Sequence, residues 1–383
     1  MYGRRRTCAC AARRSVRCVT LEPTRITKLL GLDHPIVQGP FGGGLSSVEL
    51  AAAVSNAGGL GSFGAQHLSP EQVTETIAAL RARTDRAFNV NLWVSTHDIP
   101  EEDVTDAHWA AAVERLRPLY DEVGVAPPER PRPAAHAFGV LAEALIEARP
   151  PVFSFVYGIP DAAILDACRD AGIVTVGTAI TTDEAVALDE AGVDAIVASG
   201  FEAGGHRVSF LRPAEDSLVG TLALIPATVD AVAAPVIAAG GIADPRQIAA
   251  AFTLGAEAVQ IGTAFLATRQ SGATPEHRHA LGHGDRHTRL TRLFSGRLAR
   301  GLATDIMYAI ADSDERVGRF PYQGALMRPI VDAARRQGRN DLTVFWAGQS
   351  ARLVEPDRDA VELLDRLVAD TARMRTGEQG LEP

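Results

Sequence analysis

From Ile26 onward the chain alternates short β-branched runs with Ala- and Leu-rich amphipathic stretches. Repeated βα units around a parallel sheet leave this signature. Eight runs qualify as strands: PIVQG (35–39), GLGSFGA (59–65), AFNVNLWV (87–94), VFSFVYG (152–158), IVTVGT (173–178), AIVASG (195–200), PVIAAGG (235–241) and AVQIGT (258–263). Eight in succession predict a (β/α)8 barrel of the α/β class. Helix-start signals punctuate the intervals: Ser69-Pro70-Glu71, a capping-box pair Thr181 and Glu184, and Asp244 followed by Pro245.

Two intervals break the rhythm. Residues 97–150 are too long for one crossover and include the proline cluster APPERPRP (126–133), which predicts an inserted helical segment after strand three. About a hundred residues follow strand eight; they read as helical and loop material packed on the barrel, because Phe320, Tyr322, Phe345 and Trp346 would otherwise be exposed. The expected organisation is a disordered basic arm over 1–22, a barrel over 23–355 with its insertion at 97–150, and a C-terminal helix and tail over 356–383.

Charge and composition narrow the partners. Formal net charge is −9, yet Arg4, Arg5, Arg6, Arg13, Arg14 and Arg17 stand without an acid in the first eighteen residues, leaving −15 for the rest. So acidic a body argues against nucleic acid. Lys28 is the only lysine, which disfavours Schiff-base chemistry and a P-loop. No apolar run approaches the roughly 20 residues of a membrane-spanning helix. Cys8, Cys10 and Cys18 lie in the arm and only Cys168 in the body, so neither a disulfide framework nor a cysteine zinc site is expected. The arm lacks the apolar centre of a secretory signal, and the reading is a cytoplasmic protein of open oligomeric state.

In such a barrel the chemistry belongs at the C-terminal ends of the strands, and the loops after strands seven and eight commonly hold a phosphate. Strand seven ends in Ala239-Gly240-Gly241-Ile242 and strand eight runs into Gln260-Ile261-Gly262-Thr263. Glycines admit phosphate oxygens to backbone N–H groups, and Thr263 adds a hydroxyl donor. After strand six, Ser199-Gly200-Phe201-Glu202-Ala203-Gly204-Gly205-His206 brings an imidazole beside those loops, suited to moving a proton near neutral pH. Gln38-Gly39-Pro40-Phe41-Gly42-Gly43-Gly44 after strand one offers bare backbone against which a flat ring could lie, and Asn91 on strand three would face the barrel mouth. The histidine-rich stretch 277–287 lacks carboxylates at ligand spacing and reads as a solvated loop, with no metal expected.

At these motifs the sequence resembles the FMN-dependent nitronate monooxygenases, in particular their class I branch. The matching segments are 38–62, TDRAFNVNL (84–92), EAGGHR (202–207), 234–265, SGRLARGL (295–302) and FWAGQSA (345–351). The resemblance implies a TIM-type barrel holding non-covalent FMN at Phe41, Gly42, Gly43, Asn91, Gly204, Gly241, Gln260, Ile261, Gly262 and Thr263. Ser199 stands where the family usually has Gln and is expected to face the cofactor. His206 would be the catalytic base, and a nitronate or nitroalkane would be oxidised by O2 to a carbonyl compound and nitrite. Val156 replaces a frequent His, and 320–330 offers Phe320, Gly324 and Arg328 in place of a family Tyr and Lys.

Two alternatives stay open on the sequence. An NAD(P)H-dependent FMN reductase, of enoyl-reductase or quinone-reductase type, shares the glycine–histidine loop. A flavin-binding barrel without turnover is the other. Chemistry of the IMP-dehydrogenase kind needs a loop cysteine, whereas Cys168 falls on a predicted helix.

Overall fold

A computed structural model describes residues 21–95, 105–130, 137–283, 287–311 and 316–376. Positions 1–20 of the expected arm and 131–133 of the proline cluster lie outside the described residues.

Eight parallel strands form the centre: β1 (Ile36–Gln38), β2 (Gly61–Gly64), β3 (Phe88–Trp93), β4 (Val152–Val156), β5 (Val174–Ala179), β6 (Ala195–Ser199) and, after the two-residue β7 (Gly205–His206), β8 (Val236–Ala239) and β9 (Ala258–Ile261). They pair in the order β1-β9-β8-β6-β5-β4-β3-β2. A parallel bridge from Val37 to Leu60 returns the last to the first, so the sheet closes into the expected (β/α)8 barrel. Val37, Val152, Val176, Val197 and Ile237 fill its lower interior and meet Ile26 and Leu30 of α1 (Arg25–Leu30), which plugs the end away from the loops discussed below. The opposite half of the interior is polar: Asn89 donates to Ser62 Oγ (3.2 Å) and Ser154 Oγ (2.8 Å), and the Ser62 amide donates to Gln38 Oε1 (2.8 Å).

Leu21, placed by its sequence in the basic arm, is buried in the core with Leu50, Val54 and Leu364. An apolar side chain with a core to join is not part of a solvated extension, so the ordered chain begins no later than there.

The helical layer begins with α2 (Val48–Asn56) and α3 (Pro70–Arg81); α3 starts at Ser69 with a capping box closed by Gln72. In the long interval, α4 (Asp106–Val123) packs on α13 (Tyr322–Arg336) near the C-terminus, whereas α5 (Phe138–Ala148) packs on α3 and β3 as a barrel helix. The ring continues with α6 (Ala162–Asp170), α7 (Thr182–Glu190), α8 (Thr221–Ala231) and α9 (Pro245–Thr253). Thr181 caps α7 by accepting the Glu184 amide, but the Glu184 carboxylate does not close the expected box. It instead accepts the N–H groups of Ile180 (2.8 Å), Phe210 (2.7 Å) and Leu211 (3.3 Å), a clamp on the loop beyond β7.

After β9 come α10 (Thr263–Leu266), α11 (Pro275–His283), a hairpin of β10 (Thr288–Thr291) and β11 (Ala299–Leu302), α12 (Asp305–Ala309), α13 (Tyr322–Arg336) and α14 (Ala360–Thr376). The hairpin corrects the expectation of helix and loop alone, because β11 pairs with β7 (Ala299 with His206, Arg300 with Gly205) in a small antiparallel sheet. Helix α14 packs on α9 and α2 and so fills the eighth place of the ring.

Candidate active site

Three loops meet at the C-terminal ends of β6, β8 and β9. Gly204 lies against the segment 347–348: a Cβ on it would stand 2.6 Å from both the Ala347 carbonyl carbon and the Gly348 nitrogen. The Gly348 amide donates to Thr263 Oγ1 (2.9 Å), leaving the Thr263 hydroxyl proton to another acceptor. Gly241 has φ +68°, a conformation in which side chains are strained, and its carbonyl accepts from Ser350 Oγ at 2.5 Å. Glu202 ties the loops together, taking the Thr221 amide (3.0 Å) and hydroxyl (2.8 Å), while that hydroxyl also reaches the Gly240 carbonyl (2.8 Å).

The helix that follows Gly241 would ordinarily favour an anion bound at its start. Its N-terminus is already occupied by the Asp244 carboxylate, which accepts the Arg246 amide (2.9 Å). The glycine backbone and Thr263 are the features that remain for an anion here.

The first loop joins the cradle from β1. The Phe41 ring edge lies close to Gly262, and its amide and carbonyl both engage Ser46 Oγ (3.0 and 2.7 Å). The Cβ position of Gly42 is taken by the Gln66 carboxamide, while Gly43, at φ +65°, borders open space. Two buried acceptors, Gln66 Oε1 and Asn89 Oδ1, have no partner among the described residues. The Gln66 acceptor beside Gly42, and that of Asn89 within the barrel, fit a ligand that carries both an anion and N–H donors, as a flavin mononucleotide does. Asn91, expected at the mouth, is buried inside the barrel and donates to Ser154 Oγ (2.9 Å). At Ser199 the carbonyl accepts from Arg207 (2.8 Å), and Gln260 and Ile261 end β9.

His206 sits among aromatic rings, with Trp93 at 5.1 Å and Trp346 at 5.6 Å between centroids. Its Nε2 contacts Ser295 Oγ at 2.9 Å. Burial, then the charges of Arg297 and His67, push its pKa down to about 3, so the ring is neutral across physiological pH. Arg297 lies 3.9 Å from the Tyr157 ring centre and 4.2 Å from that of Phe320, and donates to the Ser95 carbonyl (3.0 Å). Tyr157 holds φ +64° at the end of β4, an unusual conformation for a bulky side chain. Arg328 comes close enough to help lower the pKa of His67, after burial.

The next residue, Arg207, is only 1% exposed and donates to the carbonyls of Gly200 and Ser199, both at 2.8 Å. With Arg292, Arg297, Ser95, Ser209 and Tyr157 it lines a cavity of about 280 Å3.

His277 of the histidine-rich stretch is buried rather than solvated, its Nε2 3.0 Å from the Trp346 carbonyl and its pKa pushed down to about 4 by burial. It fastens the segment that carries Gly348.

A family model for nitronate monooxygenase matches residues 23–370. The chain belongs to that family. A probable nitronate monooxygenase of Staphylococcus aureus (strain JH9) is 38% identical over 331 residues, 86% of this chain and 92% of its own. One from Staphylococcus haemolyticus is 36% identical over 355 residues, 92% of this chain and 98% of its own. Among solved structures, nitroalkane oxidase from Streptomyces ansochromogenes superposes with TM-score 0.83 at 35% identity, covering 92% of this chain and 99% of that one. FabK from Thermotoga maritima follows with TM-score 0.72 at 29% identity, covering 94% and 99%. Membership of that family makes the protein an oxidoreductase, and the family depends on flavin in general. Among the described residues no helix is long and apolar enough to cross a membrane.

Sequence reasoning singled out His206 and the glycine cradle but not Trp93, Tyr157, Ser295 or Arg297. Trp93 and Tyr157 could have been found, since both stand at C-terminal ends of predicted strands, where the chemistry of a barrel collects.

Proposed function

We propose that this protein uses non-covalent FMN to oxidise alkyl nitronates, propionate 3-nitronate among them, and nitroalkanes with O2, yielding a carbonyl compound and nitrite. The observation that carries this reading is the glycine cradle of Gly204, Gly241 and Gly348 with Thr263, whose Gly204 lies two residues along the chain from a ring-clamped His206. FMN would be held by Phe41, Gly42, Gly43, Asn91, Ser199, Gly204, Gly241, Gln260, Ile261, Gly262 and Thr263. When bound, it would supply the electron relay between the organic substrate and O2.

The protein's own groups account for the rest. A neutral imidazole has a lone pair ready for the α-proton of a nitroalkane, and the Arg297 charge nearby favours the nitronate anion that forms. Trp93, Tyr157, Phe320 and Trp346 keep water from the reacting carbon. Among the described residues no acidic side chain lines the cavity of Arg207, Arg292 and Arg297, although Glu215 pairs with Arg292 from outside it (2.6 Å), and the positive charge that remains suits the carboxylate of propionate 3-nitronate.

The test is direct: purified protein should be yellow and should release nitrite from propionate 3-nitronate in air. A colourless or inactive preparation would overturn the reading. The likeness to FabK favours one competitor, a nicotinamide-driven reductase. Rapid anaerobic bleaching of the flavin by NADH or NADPH would decide for that competitor, whereas bleaching by a nitronate alone supports ours.

A further inference from the structure

The contacts of one hydroxyl assign the proton on His206. A serine hydroxyl has a single proton to give and two lone pairs to receive. Ser295 Oγ lies 3.1 Å from the Arg297 carbonyl, which can only accept, and giving the hydroxyl proton to that carbonyl is the one assignment that makes hydrogen bonds of all three contacts with Arg297 and His206. It lies 3.3 Å from the Arg297 amide, which can only donate. Its third neighbour is His206 Nε2 at 2.9 Å, which in that assignment is the donor. A neutral ring that carries its proton on Nε2 keeps its lone pair on Nδ1. Nδ1 makes no hydrogen bond among the described residues, and it is not one of the buried orphan atoms, so it retains accessible surface.

We propose that Nδ1 of His206 is the atom that takes the α-proton of a nitroalkane, and that Ser295 is a positioning residue that fixes this tautomer. The step rests on the reading of His206 as base. The substrate C–H bond breaks and an Nδ1–H bond forms, while the electron pair spreads from carbon onto the nitro oxygens as the nitronate. The imidazolium so produced still donates Nε2–H to Ser295 Oγ, and the bond becomes charge-assisted as the proton arrives. Pairing of His206 with Ala299, together with the flanking rings of Trp93 and Trp346, holds the ring so that its two nitrogens do not exchange places.

The experiment is nitrogen-15 NMR of histidine-labelled holoenzyme at neutral pH, with His206 assigned by the signal lost in His206→Asn. The unprotonated shift is expected on the nitrogen that couples over two bonds to Hε1 alone, which is Nδ1. Its appearance on Nε2 would overturn the proposal. Ser295→Ala should give a mixture of tautomers and lower nitroalkane turnover by roughly two- to tenfold, the equivalent of one neutral hydrogen bond, with a smaller loss on nitronate; Ser295→Thr, which keeps the hydroxyl, should restore both. An unchanged tautomer in Ser295→Ala would remove Ser295 from the role. Equal losses on nitroalkane and nitronate in His206→Asn, with the tautomer as stated, would sink the base assignment and leave the proton placement standing.

Discussion

Gly204 and Gly348 approach closely: a Cβ on the first would meet the nitrogen of the second at 2.6 Å, too near for any side chain, and a Cβ on the second would lie a tight 3.2 Å from the nitrogen of the first. Backbone on both sides leaves nothing flexible to yield. Gly204→Ala should therefore spread the cradle and cost about 1–3 kcal/mol, the usual range for overpacking. The expected result is a folded protein that loses its flavin on desalting, read from absorbance per mole of protein; full retention of colour would place the phosphate elsewhere. Gly241→Val should lose flavin and stability together, because its left-handed backbone and the Glu202 Cβ at 2.9 Å both oppose the new side chain.

His206→Asn separates two kinds of substrate. A nitroalkane must surrender an α-proton and a nitronate has none to surrender, so turnover of the former should fall by roughly 10²–10⁴-fold, the contribution of general-base catalysis. Nitronate turnover should fall much less. Parallel steady-state assays on one nitroalkane and its own nitronate read the difference, and matching losses would make His206 an anion-binding group instead.

Arg207→Met keeps the length of the side chain and removes its two carbonyl contacts. The Ser199 carbonyl would then lose its side-chain donor and the Gly200 carbonyl would keep only the Ala203 amide (3.1 Å), a cost of about 1–3 kcal/mol. Chemical denaturation should show the loss, and Arg207→Lys should not restore it, since one ammonium cannot reproduce the forked geometry.

Acid stability should depend on His277. Its pKa is near the ordinary 6.5 in the unfolded chain and about 4 in the fold. Below pH 6.5 the unfolded chain takes up a proton that the folded chain refuses, so stability present above that pH is lost on the way down to 4, by up to about 1.4 kcal/mol per pH unit. His277→Gln can still donate to the Trp346 carbonyl but does not titrate. Its urea midpoint should fall less between pH 7 and pH 5 than that of the wild type, and an identical fall would assign the acid sensitivity to other groups.

Deleting residues 1–18 should leave flavin content and melting temperature unchanged, since no apolar periodicity in that stretch equips it to join a core. Extending the deletion through Leu21 should lower the melting temperature, because that side chain is buried beside Val54 and Leu364. A large drop from the shorter deletion would overturn the division.

The barrel was legible because its strands are local signals: Val152 to Val156, interrupted only by Ser154, or Ala195 to Ala198 announces burial through a short apolar run. The hairpin of β10 and β11 announces nothing, for Arg289 and Arg300 interrupt it and its partner β7 is two residues long. Arg300 is buried there with the Phe201 carbonyl (3.0 Å) and the Thr288 hydroxyl (3.2 Å) to receive it, contacts that exist after folding and not before. The site divides in the same manner. Glycines and His206 lie in one contiguous motif, whereas Ser295 reaches His206 from 89 positions away and Tyr157 shows its backbone conformation only in three dimensions.

Helix α14 lies between α9 and α2, so the last wall of the barrel comes from the far end of the chain. During translation, then, α2 emerges from the ribosome some three hundred residues ahead of the neighbour that will cover it. Until Leu363, Leu364 and Leu367 arrive, the apolar seam around Leu50 and Val54 is open to water and to other nascent chains. Domain-by-domain folding from the N-terminus gives no shelter here, and closure waits for nearly the whole polypeptide. The cell must shield that seam while synthesis runs, and a message truncated ahead of α14 would yield a sticky fragment instead of a smaller enzyme.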